Sequence, residues 1–186
     1  MSSTSAAARN AAVNAMTALL NGGFLRLYSG TPPANADAAL SGNTQLAEGT
    51  IANPAFAAAS GGAATANAIG QDNSNDASGS PSFFRMVTSG GAAVFQGLAA
   101  VSWLGSTAYV VGDRVVNGSN QYRCTVAGTS AASGGPTGTG ASITDGGATW
   151  AFEGPAVGVI GSGGGPRLVA GGTFSISSVT FTLPAA

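Results

Sequence analysis

The residues able to do specific chemistry are concentrated in one short part of the chain. From Trp103 to Cys124 the sequence reads WLGSTAYVVGDRVVNGSNQYRC, which holds a tryptophan, two tyrosines, an aspartate, two arginines and the single cysteine. Around it run alanine, glycine, serine and threonine, and only 7% of all residues are charged. Flat rings beside polar groups suit carbohydrate recognition, because the C–H face of a sugar stacks on a ring while polar neighbours fix its hydroxyls.

Four aromatic residues are candidates for such a carbohydrate-binding platform: Trp103, Tyr109, Tyr122 and Trp150. The alternative is that these rings form the core of a small glycine-rich β module, which needs large side chains to exclude water. Glycan binding on an exposed platform and packing in a core both remain open at this point.

The residue types present give little support for catalysis or for cofactor binding. The chain has no histidine and no lysine, so it lacks an imidazole base or metal ligand and a P-loop lysine. Cys124 alone can form neither an intrachain disulfide nor a thiolate zinc site, and we expect a small buried side chain. Asp113 is expected to accept backbone N–H bonds in a turn, and sequence places neither Asp145 nor Glu153 beside it as a second catalytic carboxylate. We therefore expect no enzyme activity and no cofactor.

One segment superficially resembles a calcium-binding loop, namely DNSNDASGS beginning at Asp72. Its sixth position is Ala77 instead of glycine, and its twelfth is Phe83 instead of glutamate, where calcium loops are strictest. We expect a solvated turn and no metal site. The glycine-rich stretches GGPTGTG and GSGGGPR are likewise expected to be turns or connections.

Charge and hydropathy limit the kinds of partner that the protein is expected to bind. The net charge of −1 and the scattered arginines give no basic patch for nucleic acid. No apolar run approaches the roughly 18 residues of a membrane span, so membrane insertion is not expected. The N-terminus also lacks the basic and apolar regions of a signal peptide. So uncharged a surface indicates burial against partners, including further copies of the chain.

Periodicity predicts one helix followed by many short strands. From Ser5 to Asn21 a 3.6-residue period places Val13, Met16 and Leu20 on one face, with Ser5 as N-cap and Gly22 in the stop. Beyond it, strand patterns separated by turn-rich clusters recur roughly every ten residues, which is typical of sandwiches. The predicted fold class is therefore mainly β: an antiparallel β-sandwich or jelly roll with an N-terminal helix and a small inserted β module.

Two further features concern the second half of the chain. In GTFSISSVTFTLP the alternation changes phase at Ser177-Ser178, which predicts a β-bulge. Residues 98–157 hold both tryptophans, and removing them would join AAVFQG to GVIGSGGGPRLVAGG as a plausible hairpin. We therefore predict an outer β domain of residues 1–97 plus 158–186 and an inserted module of residues 98–157.

The order W…Y…GD.V..NG..Y.C…GPTGTG…ITDG..TW resembles the short chitin-binding-like β modules of bacterial glycosidases, and more closely their copies within bacteriophage tail and virion proteins. The outer segments, LRLYSGTPPANADAALSGNTQLAEGTIANPAFAAASGGAATANAI and VAGGTFSISSVTFTLPA, resemble small phage structural proteins. These resemblances imply a virion protein that decorates the capsid exterior by binding the major capsid protein, with a carbohydrate-binding-like insert facing outward. The alternative they leave open is a tail-tip or fibre adhesin that binds host-surface glycans.

Overall fold

The computed structural model describes residues 3–156, 159–162, 167–176 and 179–183. It is mainly β, with 41% of residues in strands and 8% in helix, and its N-terminal helix and several antiparallel sheets are consistent with a β-sandwich. The predicted fold class is thereby confirmed. The predicted bulge at Ser177-Ser178 lies outside the described residues.

The N-terminal helix α1 spans Ala6–Ala18. Ser5 caps it as predicted, since its hydroxyl accepts a hydrogen bond from the backbone N–H of Ala8 at 3.2 Å. Gly22 provides the left-handed residue after the helix, with φ of 64°. Val13 and the following Leu20 are buried. Among the described residues, no helix has the length and apolar character needed to cross a membrane.

Asparagines of α1 and of the turn after it fix the helix to the chain between residues 55 and 62. The side-chain oxygens of Asn10, Asn14 and Asn21 accept hydrogen bonds from the backbone N–H groups of Gly62, Ala59 and Ala55, at 2.7, 2.9 and 2.8 Å. The signal in the sequence was the spacing of four between Asn10 and Asn14, which places them on one helix face. Helix docking therefore uses amide hydrogen bonds in addition to the short apolar stripe.

A four-stranded antiparallel sheet follows the helix. Its strand order is β2-β1-β4-β5, with bounds β1 Phe24–Ser29, β2 Thr44–Thr50, β4 Phe83–Val87 and β5 Ala93–Leu98. Leu25, Leu27 and Leu46 are completely or almost completely buried in its core. On the same sheet Arg85 is buried and donates to the carbonyls of Asn35 and Ala38 at 3.2 and 2.6 Å, which holds the loop after β1 in place.

The second large sheet has seven strands in the order β11-β12-β9-β8-β6-β13-β14. Their bounds are β6 Ala100–Ser102, β8 Arg114–Asn117, β9 Asn120–Val126, β11 Ile143–Asp145, β12 Ala148–Pro155, β13 Val159–Ser162 and β14 Phe174–Ile176. Strand β6 pairs in parallel with both β8 and β13, which departs from the expected all-antiparallel arrangement. For the pairing with β8 the reason is the long connection 103–113, which returns the chain to the starting end of β6 before β8 begins.

Two short pairs complete the strands. Strand β7, Ala108–Tyr109, pairs with β10, Gly128–Thr129, and β3, Ala63–Thr65, pairs with β15, Thr180–Thr182. The two halves of the alternating C-terminal sequence thus belong to different sheets, because β14 pairs with β13 and β15 with β3.

The structure adds two facts about the predicted insert, residues 98–157. Its two ends lie side by side, since Ala100 is paired with Val159 across the β6–β13 ladder. The same ladder makes one continuous sheet from strands within the segment and strands β13 and β14 after it. The division into two domains stays a prediction.

Candidate functional site

The four predicted carbohydrate-binding residues occupy different environments. Tyr109, Tyr122 and Trp150 are at most 2% exposed, whereas Trp103 is half-buried. The rings of Tyr109 and Trp150 meet edge to face, with their centroids 4.8 Å apart. Stacking against a sugar requires an open ring face. Three of the four rings are therefore packed as core, and Trp103 alone among the four has its surface partly open.

A single buried carboxylate holds both tryptophans. Asp145 Oδ2 accepts the indole N–H of Trp103 at 2.8 Å and that of Trp150 at 3.1 Å, while its Oδ1 accepts the backbone N–H of Ala131 at 2.9 Å. The turn after Asp145 is tight: a Cβ on Gly146, where φ is 63°, would lie 2.6 Å from the nitrogen of Ala131. The segment ITDGGATW therefore anchors two indole rings through Asp145. The sequence analysis did not predict this role of Asp145. The signal was a lone aspartate five residues before a tryptophan in a charge-poor chain.

The tyrosine hydroxyls are also satisfied internally. The hydroxyl of Tyr109 accepts the backbone N–H of Leu104 at 2.8 Å. The hydroxyl of Tyr122 donates to the carbonyl of Gly138 at 3.1 Å and accepts from the side-chain amide of Asn120 at 3.1 Å. These bonds join the ring cluster to the loops around it. Buried polar groups of a core are expected to be paired in this way.

The glycine-rich loop GGPTGTG covers Trp103. The side-chain amide of Asn117 donates to the carbonyls of Gly134 and Pro136 at 2.7 and 3.1 Å, which fixes the loop. A Cβ on Gly135, where φ is 72°, would lie 2.9 Å from the Trp103 ring. Only glycine fits this approach, so the loop packs closely against part of the indole and leaves Trp103 partly exposed.

Asp113 connects the segment 98–157 to the rest of the protein. It is 1% exposed and accepts the backbone N–H of Val110 at 2.9 Å, as expected for a turn carboxylate. It also accepts the hydroxyl of Ser80 and pairs with Arg167 Nη2 at 3.1 Å. Ser80 and Arg167 both lie outside the segment, so a single carboxylate ties its turn to two distant parts of the chain.

Glu153 lies between two arginines on neighbouring strands. Arg114 on β8 stands directly opposite Arg123 on β9, a like-charge pair that is unfavourable by itself. Glu153 is the extra residue of a bulge in β12, between Phe152 and Gly154, and this bulge aims its carboxylate at both guanidinium groups. The contacts are 2.8 Å from Arg114 Nε and 3.0 Å from Arg123 Nε.

The remaining reactive side chain is Cys124. It is fully buried on the core face of β9, and its thiol contacts the carbonyl of Val126 at 3.2 Å. Burial raises the pKa of this thiol above the ordinary value, so the nucleophilic thiolate is disfavoured at neutral pH. Within the described part of the chain, no three histidine, cysteine, aspartate or glutamate residues converge to hold a metal ion.

Comparisons of the chain with protein-family models, with curated proteins and with solved structures give no match.

Proposed function

We propose that this protein is a structural component of a bacteriophage particle that decorates the capsid exterior by binding the major capsid lattice. The support comes from the way the chain uses its charges. Ion pairs form within the protein between Arg26 and Glu48, between Glu153 and both Arg114 and Arg123, and between Arg167 and Asp113. Little charge is left for contacts with partners.

Two further charged side chains are buried within the protein and so are also unavailable to partners. Arg85 is 7% exposed among backbone carbonyls, and Asp145 is 4% exposed between indoles. Arg9, Asp37, Asp72 and Asp76 remain outside the ion pairs formed by the described residues. A surface of small neutral side chains can be buried against a neighbour with little charge to desolvate, which suits a repetitive lattice contact.

The outer face of α1 is the part of this surface best suited to docking. Ala7, Ala11, Ala15 and Ala18 are exposed on it, and the adjoining Leu19 is 57% exposed. Alanine allows a partner backbone to approach closely, and the apolar leucine adds buried area. We assign this face to the capsid contact, with the segment 98–157 directed outward.

Co-sedimentation with phage heads that lack the chain tests this function. We expect the wild-type protein to pellet with the heads, and Ala11→Arg to stay in the supernatant because its guanidinium cannot be desolvated in the contact. Arginine favours helix almost as well as alanine does, so the variant should fold. The matched control is Ala39→Arg, an exposed loop substitution that should pellet normally. Folded wild-type protein that remains in the supernatant would reject the assignment.

The second candidate function is a tail-tip or fibre adhesin for host-surface glycans. The observation that favours it is the half-buried Trp103, whose ring is held in one orientation by Asp145. A fixed, partly open indole is a suitable stacking surface, and repeated copies on a particle would compensate for a weak single site. Enzyme activity forms no part of either proposal.

A further inference from the structure

A cleft of about 560 Å³ lies beside the turn that contains Asp113. It is lined by the chain from 29 to 32 together with Ser80 and Ser82, and by the turn 110–114 together with Arg123. Sites for small molecules usually measure about 300 to 1,000 Å³, so the cleft has a suitable size. None of the four aromatic residues considered above lines it.

The charged groups of the cleft leave one positive charge without a partner. Arg114 and Arg123 share the single carboxylate of Glu153, whereas Asp113 is already paired with Arg167. Side chains outside the described residues are all uncharged, so none of them supplies the missing negative charge. The cleft is therefore complementary to a ligand that carries one negative charge.

The geometry of the unused donors favours a carboxylate. Arg114 donates hydrogen bonds to Glu153 through Nε and one Nη. Arg123 donates to the same carboxylate through Nε alone. Among the described residues, the two Nη groups of Arg123 have no acceptor, and its side chain is 40% exposed. Two N–H groups on one planar guanidinium can bind both oxygens of a carboxylate, which a point charge such as lysine cannot match.

The lining of the cleft also offers hydroxyl groups and apolar surface. The hydroxyls of Ser29 and Thr31 make no hydrogen bond to other described residues, so both can donate to and accept from a ligand. Val110 and Val111 are 46% and 60% exposed and also line the cleft. Hydroxyl groups, a guanidinium group and exposed methyl groups in the lining of one cleft fit a ring that is polar at its edge and apolar on its face.

We infer that this cleft binds an acidic sugar in its ring form, with the carboxylate on Arg123 and the ring hydroxyls on Ser29 and Thr31. The exposed valines contact the C–H face of the ring. The inference does not depend on where in a particle the protein resides, and it uses none of the aromatic residues of the second candidate function.

Titration calorimetry with four probes tests the ligand chemistry. We expect methyl β-D-glucuronide to bind, and methyl β-D-glucoside, which has the same hydroxyls without the charge, to bind at least about tenfold more weakly, the factor for losing one charged hydrogen bond. Acetate, with charge and no hydroxyls, and gluconate, the open-chain hydroxy acid, should likewise be weaker. Equal binding of acetate would identify an unspecific anion contact and overturn the inference, as would tighter binding of gluconate or no binding of the glucuronide.

Variants locate the bound sugar. Arg123→Gln should weaken glucuronide binding by about tenfold or more, whereas Arg26→Gln, which removes an arginine from an ion pair outside the cleft, should leave it unchanged. Glu153 keeps its two bonds to Arg114 in Arg123→Gln, so that variant should fold. Thr31→Val, a substitution in the same lining, should weaken binding as well. Unchanged affinity in both Arg123→Gln and Thr31→Val would overturn the assignment.

Discussion

Replacing Asp145 with alanine is expected to lower the free energy of unfolding by about 3 to 5 kcal/mol. Three N–H groups lose their acceptor together, those of Trp103, Trp150 and Ala131. Each buried donor without a partner costs about 1 to 3 kcal/mol, with the lower values applying to the half-buried Trp103. Urea unfolding followed by tryptophan fluorescence measures the change directly, since both indoles report on this carboxylate.

Two further variants separate the buried role of Asp145 from a general effect of charge. Asp145→Asn retains one acceptor oxygen and nearly the same volume, so it should cost clearly less than alanine. Asp37→Ala removes an exposed aspartate from the loop after β1 and should change stability by no more than about 0.5 kcal/mol. A loss below about 1 kcal/mol in Asp145→Ala would mean that the indole N–H groups find other acceptors, against the anchoring role described above.

Replacing Asp113 with alanine is expected to cost about 2 to 4 kcal/mol and to loosen the turn 110–114 from the rest of the protein. The substitution leaves the backbone N–H of Val110 without its acceptor, removes the bond from Ser80, and releases Arg167. The released guanidinium is 41% exposed and can be hydrated, so the loss is smaller than for a fully buried ion pair. Amide hydrogen exchange should show faster exchange around Val110 before global unfolding.

The matched control for this prediction removes the other partner of the pair. Arg167→Ala deletes the exposed cation and keeps the buried carboxylate bonded to Ser80 and Val110, so it should cost clearly less than Asp113→Ala. If Arg167→Ala costs as much as Asp113→Ala, the ion pair and not the turn hydrogen bonds stabilises this connection, and the role given to Asp113 is wrong.

Local patterns were sufficient to predict the helix and most strands. The cap at Ser5, the stop at Gly22 and the succession of short strands and turns follow from residue spacing and turn chemistry, which act over a few residues. The parallel pairing of β6 with β8 and β13 could not be predicted in this way. It depends on how a connection of eleven residues between β6 and β8 packs, and that packing involves distant parts of the chain.

The role of the aromatic residues was not decidable from sequence for a similar reason. A tyrosine on a short strand has the same neighbours in sequence whether its ring faces solvent or core. The burial of Tyr109 and Trp150 results from contacts between β7 and β12, which are far apart in the chain. The cleft was missed because two of its lining residues are far apart in the chain: Thr31 lies in the loop after β1, and Arg123 lies on β9.

The most direct test of the particle assignment is the number of copies of this chain in a purified phage particle, measured by quantitative mass spectrometry against the major capsid protein. Decoration of the capsid exterior predicts on the order of hundreds of copies in a fixed ratio to that protein, because a symmetric lattice repeats each binding site on its subunits. About a dozen copies or fewer, in a ratio that follows the tail proteins, would contradict capsid decoration and favour the adhesin. Absence of the chain from the particle would reject both functions.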